Sequence, residues 1–303
     1  MQQVRPRKPI VALLMSAVLT GFGQLYNGEV NRAIWLFLAL LFINVPWVAV
    51  LALYVSRGLL LPMLLLTFTS SIGIWIFSMV DAWRHAKSKP DYVPERWQTS
   101  GLYVLVFVVC NLVTLPALTI YVRARLVEPF RIPTASMEPS VLRGDFLFAD
   151  KRYNCPGCKY RIQQGDIAVF AAPNDRTQLS IKRVIGLPGD RVGIEGRSVR
   201  VNGEPLSSGA PVQENGTMLV TESGSSGAEW TVQWNAAGYM GRDLELTVPP
   251  GQVFVLGDNR SNARDSRQFG TVSMEDVVGR ARQVWFSLGP DGVRWGRIGQ
   301  RVE

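Results

Sequence analysis

Apolar and polar positions are segregated along this chain. Three stretches, residues 33–56, 58–80 and 97–122, carry no charged side chain. Each meets the roughly 20 apolar residues that a bilayer-crossing helix needs. Trp35, Tyr54, Trp97, Tyr103 and Tyr121 sit near their ends, where amphipathic rings settle at a membrane interface. A fourth apolar run, residues 9–20, stops at Gly21-Phe22-Gly23-Gln24; so short a run predicts a re-entrant or interfacial segment rather than a span. After residue 122 the pattern changes to short runs broken by Gly and Pro. Residues 166–170, 192–194, 198–201, 218–221, 230–234, 244–248 and 253–256 are alternating or β-branched and predict strands. Residues 273–278 are the one candidate for a short helix.

The expected fold class is therefore an α-helical membrane anchor joined to a mostly-β extracytoplasmic domain. The expected domains are a multi-helix membrane module at 1–96 with a cytoplasmic loop at 81–101, a last transmembrane helix at 97–122, and a β domain at 123–303 with a β-rich insertion at about 191–250. Charge gives the orientation. Arg84, Lys87, Lys89 and Arg96 place the 81–101 loop on the cytoplasmic side by the positive-inside rule. The helix after it delivers residue 123 to the outer face. If residues 9–20 do not span, Arg5, Arg7 and Lys8 also lie inside and the clusters agree.

The net charge of +8 does not point to nucleic acid. Residues 1–122 hold nine Lys/Arg against four Asp/Glu and the rest 23 against 20, without the basic face or tail of a nucleic-acid binder. Apolar residues make up 47% and charged ones 18%, and mean hydropathy is +0.11. A disordered chain is excluded by that balance.

What the outer domain lacks restricts its chemistry. The one histidine, His85, falls in the cytoplasmic loop, so neither a Ser-His-Asp site nor a histidine-ligated zinc site forms outside. A nucleophile there takes its base from Lys, Asp, Glu or an amine. Cys110 lies within a predicted span and reads as a small apolar residue. Cys155 and Cys158 form a CxxC that is half a zinc site, a redox pair, or a local disulfide, which an oxidising compartment favours.

Three patches stand apart from the strand background. The first, residues 128–145, centres on Ser136-Met137 between Pro133 and Pro139. The second, residues 181–190, embeds Lys182 among Ile181, Val184, Ile185 and Leu187. The third is the Gly-Asp-Asn-Arg stretch at 257–260 followed by Asp265-Ser266-Arg267. Singly, these read as a turn serine, a strand-edge lysine and a hydrogen-bonded turn. Together with Gly165-Asp166 and Arg297-Ile298-Gly299 they resemble, in order, the boxes of the bacterial type I signal peptidases. Those are membrane-anchored serine proteases with a Ser-Lys dyad. Their β fold is shared with LexA-type self-cleaving repressors, from which the spans and the missing DNA-binding domain set this chain apart.

The resemblance implies Ser136 as nucleophile and Lys182 as general base, with Thr134 and the Ser136 N–H receiving the oxyanion. It implies that Phe130, Ile132, Pro133 and Ile181 line shallow pockets for small side chains at precursor positions −3 and −1. Asp258, Arg260, Asp265, Ser266 and Arg267 become the scaffold of the site, with Asp265 and Arg267 expected as an ion pair. The implied partners are secretory precursors and the phospholipid membrane, with no nucleic acid, no metal and no cofactor; the implied location is the bacterial plasma membrane, facing outward. Two positions depart from the pattern. Ala263 stands where many members have a serine that hydrogen-bonds the lysine, a bond that Ser266 or a water would have to replace. Ser180 stands where an aromatic is common. Ala263 alone favours the other reading, a catalytically impaired relative acting as a membrane binding or assembly module. Residues 21–28, GFGQLYNG, resemble the GxGQxYxG signature of small two-helix membrane modules.

Overall fold

The structure is a computed structural model and describes residues 6–55, 57–153, 158, 160–214, 216–225, 227–235 and 243–302. The chain divides into two compact units, Met1–Ala124 and Arg125–Glu303.

The first unit is helical: α1 (Pro9–Val18), α2 (Phe22–Tyr26), α3 (Val30–Asn44), α4 (Pro46–Tyr54), α5 (Arg57–Lys87), α6 (Ser100–Val108) and α7 (Leu115–Arg125), the last two joined by a π-turn, Val109–Thr114. Among the described residues, Val30–Tyr54, Gly58–Lys87 and Ser100–Arg125 are long and apolar enough to cross a membrane, with mean hydropathies of 2.5, 2.0 and 2.2. The first of these bends where Pro46, lacking an N–H, opens α4. α1 has ten residues, about 15 Å of helix and half a hydrocarbon core.

α5 runs past the apolar stretch that ends at Val80, because its last turns are paired. His85 Nδ1 lies 2.8 Å from Glu29 Oε1, Arg32 lies 3.4 Å from Asp81, and Lys89 Nζ lies 2.9 Å from Glu29. The GFGQLYNG segment makes this crossing possible. A Cβ on Gly23 would stand 2.1 Å from the Ala12 carbonyl oxygen and 2.7 Å from Ala82 Cβ, so only glycine lets α2 approach α1 and α5. Gln24, fully buried, donates to the Ser78 carbonyl at 2.9 Å and to Asp81 at 3.0 Å, and accepts from Ser16 at 3.2 Å. Buried amides are tolerated when bonded in this way.

The second unit is mostly β. Its strands are β1 (Val127–Arg131), β2 (Asp145–Asp150), β3 (Ile167–Ala172), β4 (Asp175–Gly186), β5 (Arg191–Glu195), β6 (Ser198–Val201), β7 (Glu204–Pro205), β8 (Val212–Glu214), β9 (Thr217–Ser223), β10 (Glu229–Asn235), β11 (Leu244–Thr247), β12 (Gln252–Leu256), β13 (Val272–Ser273), β14 (Val277–Gly289) and β15 (Gly292–Val293). The main antiparallel sheet has the order β1-β2-β14-β3-β4-β12-β13, with β15 on β14. The chain between β4 and β12 adds two smaller sheets, β11-β5-β6-β7 and β10-β9-β8.

Those smaller sheets are packed on the main one. Val192, Ile194, Val199, Val201, Trp230, Val232 and Trp234 share a buried cluster with Ile185, Phe254 and Leu256. Trp230 and Trp234, for which packing is the expected role and a place at the bilayer surface the alternative, are core residues; Tyr239, read in the same way, lies outside the described residues. Residues 273–278 hold only a single 3-10 turn, Met274–Asp276, between β13 and β14. The true helix is one turn, α8 (Ser266–Phe269), fixed by a capping box between Asp265 and Gln268. One turn is too short to print a helical period on the sequence.

Candidate active site

Ser136 lies in the loop between β1 and β2. Those strands pair antiparallel, Phe130 opposite Leu147. The loop is closed at its base where the Ile132 N–H donates to Asp145 O at 2.8 Å and the Gly144 N–H to Ile132 O at 2.9 Å. Met137 and Val141, both fully buried, plug the loop into a cluster with Ile132, Leu147, Ile167 and Ile181. A serine followed by an anchored methionine is held in place by its neighbour. Asp145 secures the far end. It is fully buried and accepts from the Leu142 N–H at 2.9 Å, the Ser287 hydroxyl at 2.6 Å and the Arg297 guanidinium at 2.6 Å. Arg297 of the last box thus clamps the loop of the first.

Lys182 lies in the buried inner half of β4, opposite Ala168 of β3. Its Nζ is 3.0 Å from Ser136 Oγ and donates to its neighbour's carbonyl, Ile181 O, at 2.8 Å. Both residues are nearly inaccessible, Ser136 at 9% and Lys182 at 5%. Burial is the largest influence on the amine and lowers its pKa from 10.5 to about 8, against the opposing charges of Asp265 and Asp258. At pH 7 roughly one such amine in ten is neutral, against about three in ten thousand for a lysine of ordinary pKa.

The third patch wraps around this pair. A Cβ on Gly257 would stand 2.3 Å from Ala263 Cβ, 2.6 Å from Ser136 O and 3.5 Å from Lys182 Cδ, so the backbone itself forms the wall here. Asp258 receives Arg183 bidentately, at 2.8 and 2.7 Å, with both side chains fully buried. Arg183 also donates to Gly165 O at 2.7 Å and lies 5.0 Å from the Trp230 ring. It neighbours Lys182 in sequence, yet its head group has different hydrogen-bond partners, as alternation along a strand requires. Asp265 pairs with Arg267 at 2.8 Å and accepts the Gly257 N–H at 3.0 Å. Arg260 pairs with Glu222 of β9.

Ser266 does not take over from the missing serine at position 263. Its hydroxyl accepts the Val255 N–H at 3.0 Å, and the second bond of Lys182 goes to Ile181 O instead. The Ala263 methyl, buried, lies against the Gly257 backbone, which leaves no room for a side chain at 257. Asn259 was not singled out by the sequence, although it lies in the third patch. Its N–H donates to Ser136 O at 3.2 Å and its side chain to Ala135 O at 3.1 Å. Glu222 gave no sequence signal at all.

The remaining expected residues divide. Thr134 Oγ1 lies 3.3 Å from Ser136 Oγ and is exposed. Ile132 and Ile181 are buried in the cluster under the serine loop, whereas Phe130 is half-buried and Pro133 exposed. Cys158 is a disulfide cysteine; its expected partner, Cys155, lies outside the described residues. Cys110 is a free thiol.

The family described as signal peptidase, peptidase S26, matches residues 103–286, which include the three patches and the strands that hold them. The chain belongs to the signal peptidase family. Signal peptidase I of Pseudomonas aeruginosa is 32% identical over 194 residues, 56% of this chain and 68% of that one. Signal peptidase I of Rickettsia typhi is 31% identical over 211 residues, 60% of this chain and 77% of that one. A crystal structure of a signal peptidase I from Enterococcus faecalis V583 aligns over 39% of this chain and 95% of that one, at 32% identity and a TM-score of 0.26. As a member of the signal peptidase family, the chain is a serine endopeptidase that processes signal peptides. The reading of it as a catalytically impaired binding module finds no support among these relatives.

Proposed function

We propose that this signal peptidase cleaves precursors at the outer face of the bacterial plasma membrane, with Ser136 as nucleophile and Lys182 as general base. The observation that carries this is the 3.0 Å approach of Lys182 Nζ to Ser136 Oγ in a site that lowers the amine to about pKa 8. In the neutral form the lysine accepts the hydroxyl proton as Oγ attacks the carbonyl carbon after the −1 residue. The negative charge that develops on the carbonyl oxygen is received by the Ser136 N–H and the Thr134 hydroxyl. Collapse of the tetrahedral intermediate breaks the peptide C–N bond. The ammonium of Lys182 gives its proton to the departing amine, leaving the signal peptide esterified to Ser136. A water, deprotonated by the same lysine, then hydrolyses the ester. The reaction needs no metal and no cofactor.

Substrate selection follows from the edge of the sheet. β1 is the outermost strand on that side, and a precursor laid beside it gains backbone hydrogen bonds that demand no sequence. The surfaces of Phe130, Ile132, Pro133 and Ile181 then admit small side chains at −3 and −1. Three apolar helices tether the enzyme in the bilayer its precursors occupy, which raises their effective concentration. The positive charges of the 81–101 loop support a cytoplasmic loop and thus an outer position for residue 123 and the β domain.

The test is cleavage of a model secretory precursor in detergent–phospholipid micelles. Wild type should release the mature protein by a cut after the −1 residue, and Ser136→Ala should release none; cleavage by that variant would refute the assignment. Thr134→Val keeps the shape and removes the hydroxyl. It should lower kcat by about tenfold to a hundredfold with little change in KM, the mark of a donor engaged in the transition state. An unchanged kcat would leave the oxyanion to backbone donors alone.

A further inference from the structure

The insertion between β4 and β12 reaches the active site through one buried carboxylate. Glu222 is the sole fully turned-in residue of β9, 3% exposed, and faces Trp230 across the β9–β10 pair. Its two oxygens hold the Arg260 guanidinium at 2.7 and 2.5 Å, and Oε2 also accepts the Trp230 indole N–H at 2.9 Å. Arg260 is 1% exposed and so depends on this partner for its charge. It donates from Nε to the Gly257 carbonyl at 3.1 Å, and Gly257 is the backbone wall against Ser136 O and the Lys182 stem. The paired strand β10 adds a second tie, since the Gln233 N–H donates to Asp258 O at 2.8 Å and the Gln233 carbonyl accepts the Arg260 N–H at 2.9 Å. Trp230 packs its ring on Arg183, the partner of Asp258.

We propose that Glu222 is a positioning residue for cleavage, which acts through Arg260 to hold Gly257 against the Ser136–Lys182 pair. The inference rests on the reading of those two residues as nucleophile and base. The insertion then has a role: it is a brace behind the catalytic loop, and the β9–β10 pair sets how closely that loop approaches the lysine. Lys182 is faced by Asp258 and Asp265, which are themselves held by Arg183 and Arg267. Without the Glu222 charge, Arg260 is left as an unbalanced cation beside this group, or draws Asp258 away from Arg183. Both changes disfavour the ammonium form of Lys182.

Glu222→Gln keeps the shape and the acceptor for Trp230 and removes the charge. The expected result, per folded molecule, is a plateau kcat about tenfold lower with KM within about twofold. The acid limb of the pH profile should move down by about half a unit. A residue that only stabilises the fold would lower the yield of folded enzyme and leave kcat per folded molecule and the acid limb unchanged; that result overturns the proposal. If Glu222→Gln gives no folded protein, Trp230→Phe, which removes one of the three bonds to the carboxylate, is read in its place. It should change both quantities in the same directions by less, and wild-type values for both overturn the proposal. Ser136→Ala is run alongside. Cleavage by Ser136→Ala sinks the assignment of the nucleophile, whereas an inactive Ser136→Ala beside an unaltered Glu222→Gln sinks the positioning role alone.

Discussion

Lys182→Met is expected to abolish precursor cleavage and, below pH 8, to make the folded protein more stable. Both effects come from one amine. In the native chain its pKa is about 8 instead of 10.5, because burial disfavours the charge more than Asp265 and Asp258 favour it. Below pH 8 the folded protein carries a buried ammonium that the unfolded chain would hydrate fully. Between about pH 8 and 10.5 the unfolded state binds the extra proton, so stability rises with pH across that window. The cost of the native lysine at pH 6 is about 3 kcal/mol and falls to about half of that at pH 9.5. Methionine fills the same space without charge and removes this cost. Cleavage should fall by about a thousandfold or more, as expected when a general base is deleted. Thermal unfolding at pH 6 and pH 9.5 would check the stability, and a wild-type pH–rate profile would check the base. That profile should rise about tenfold per pH unit up to a break near 8. A profile flat from pH 6 to 9, or appreciable turnover by Lys182→Met, would mean that another group takes the proton.

Asp258→Ala should damage the protein more broadly. It strips the partner from Arg183, both being fully buried. A guanidinium left unpaired in such surroundings costs about 3–5 kcal/mol. It also removes one of the two negative charges that hold the Lys182 pKa up, so residual activity should show its acid limb at lower pH than wild type. Replacing both partners by apolar residues, Arg183→Met with Asp258→Leu, should recover part of the stability, since no charge is then stranded. It should recover little activity, because the loop that carries Gly257 remains without its anchor. Unfolding temperature and cleavage, measured on the single and the double variant, separate the two losses. A single variant as stable as wild type would show that water reaches Arg183.

The three helices long and apolar enough to cross a membrane were readable from the chain, because that length and composition are a local property of about 20 consecutive residues. Their ends were less readable. α5 passes Val80 and continues to Lys87, since Asp81 and His85 are paired by Glu29 and Arg32 from a distant part of the sequence. Most short strands were legible from alternation and Gly/Pro punctuation, as in Ser198–Val201. β14, thirteen residues that serve both β2 and β3, was not. Its two edges pair with different strands, and register shifts interrupt both pairings.

The candidate nucleophile and base were named by linear patches, because a reactive serine and an embedded lysine are each recognisable from close neighbours. What brings them to 3.0 Å is not written in either patch. They are 46 positions apart, and their approach depends on Met137 seated in the core, β4 held between β3 and β12, and a glycine with no side chain at 257. The charged scaffold was foreseen as a set of residues in which Asp265 and Arg267 alone were read as an ion pair, which the structure forms. Arg267 meets Asp265 within one turn, a short-range match that sequence can suggest. Arg183 meets Asp258, and Arg260 meets Glu222, across 75 and 38 positions.

Sequence alone therefore determined what depends on runs and near neighbours: the helices long and apolar enough to cross a membrane, the β character of the second unit, the absence of histidine there, and the candidates for nucleophile and base. Tertiary structure decided which charges neutralise one another, which carbonyl replaces the serine absent at position 263, and how far the lysine is dried. Those quantities depend on distances between segments remote in the chain, and on the removal of water, which only the packed fold accomplishes.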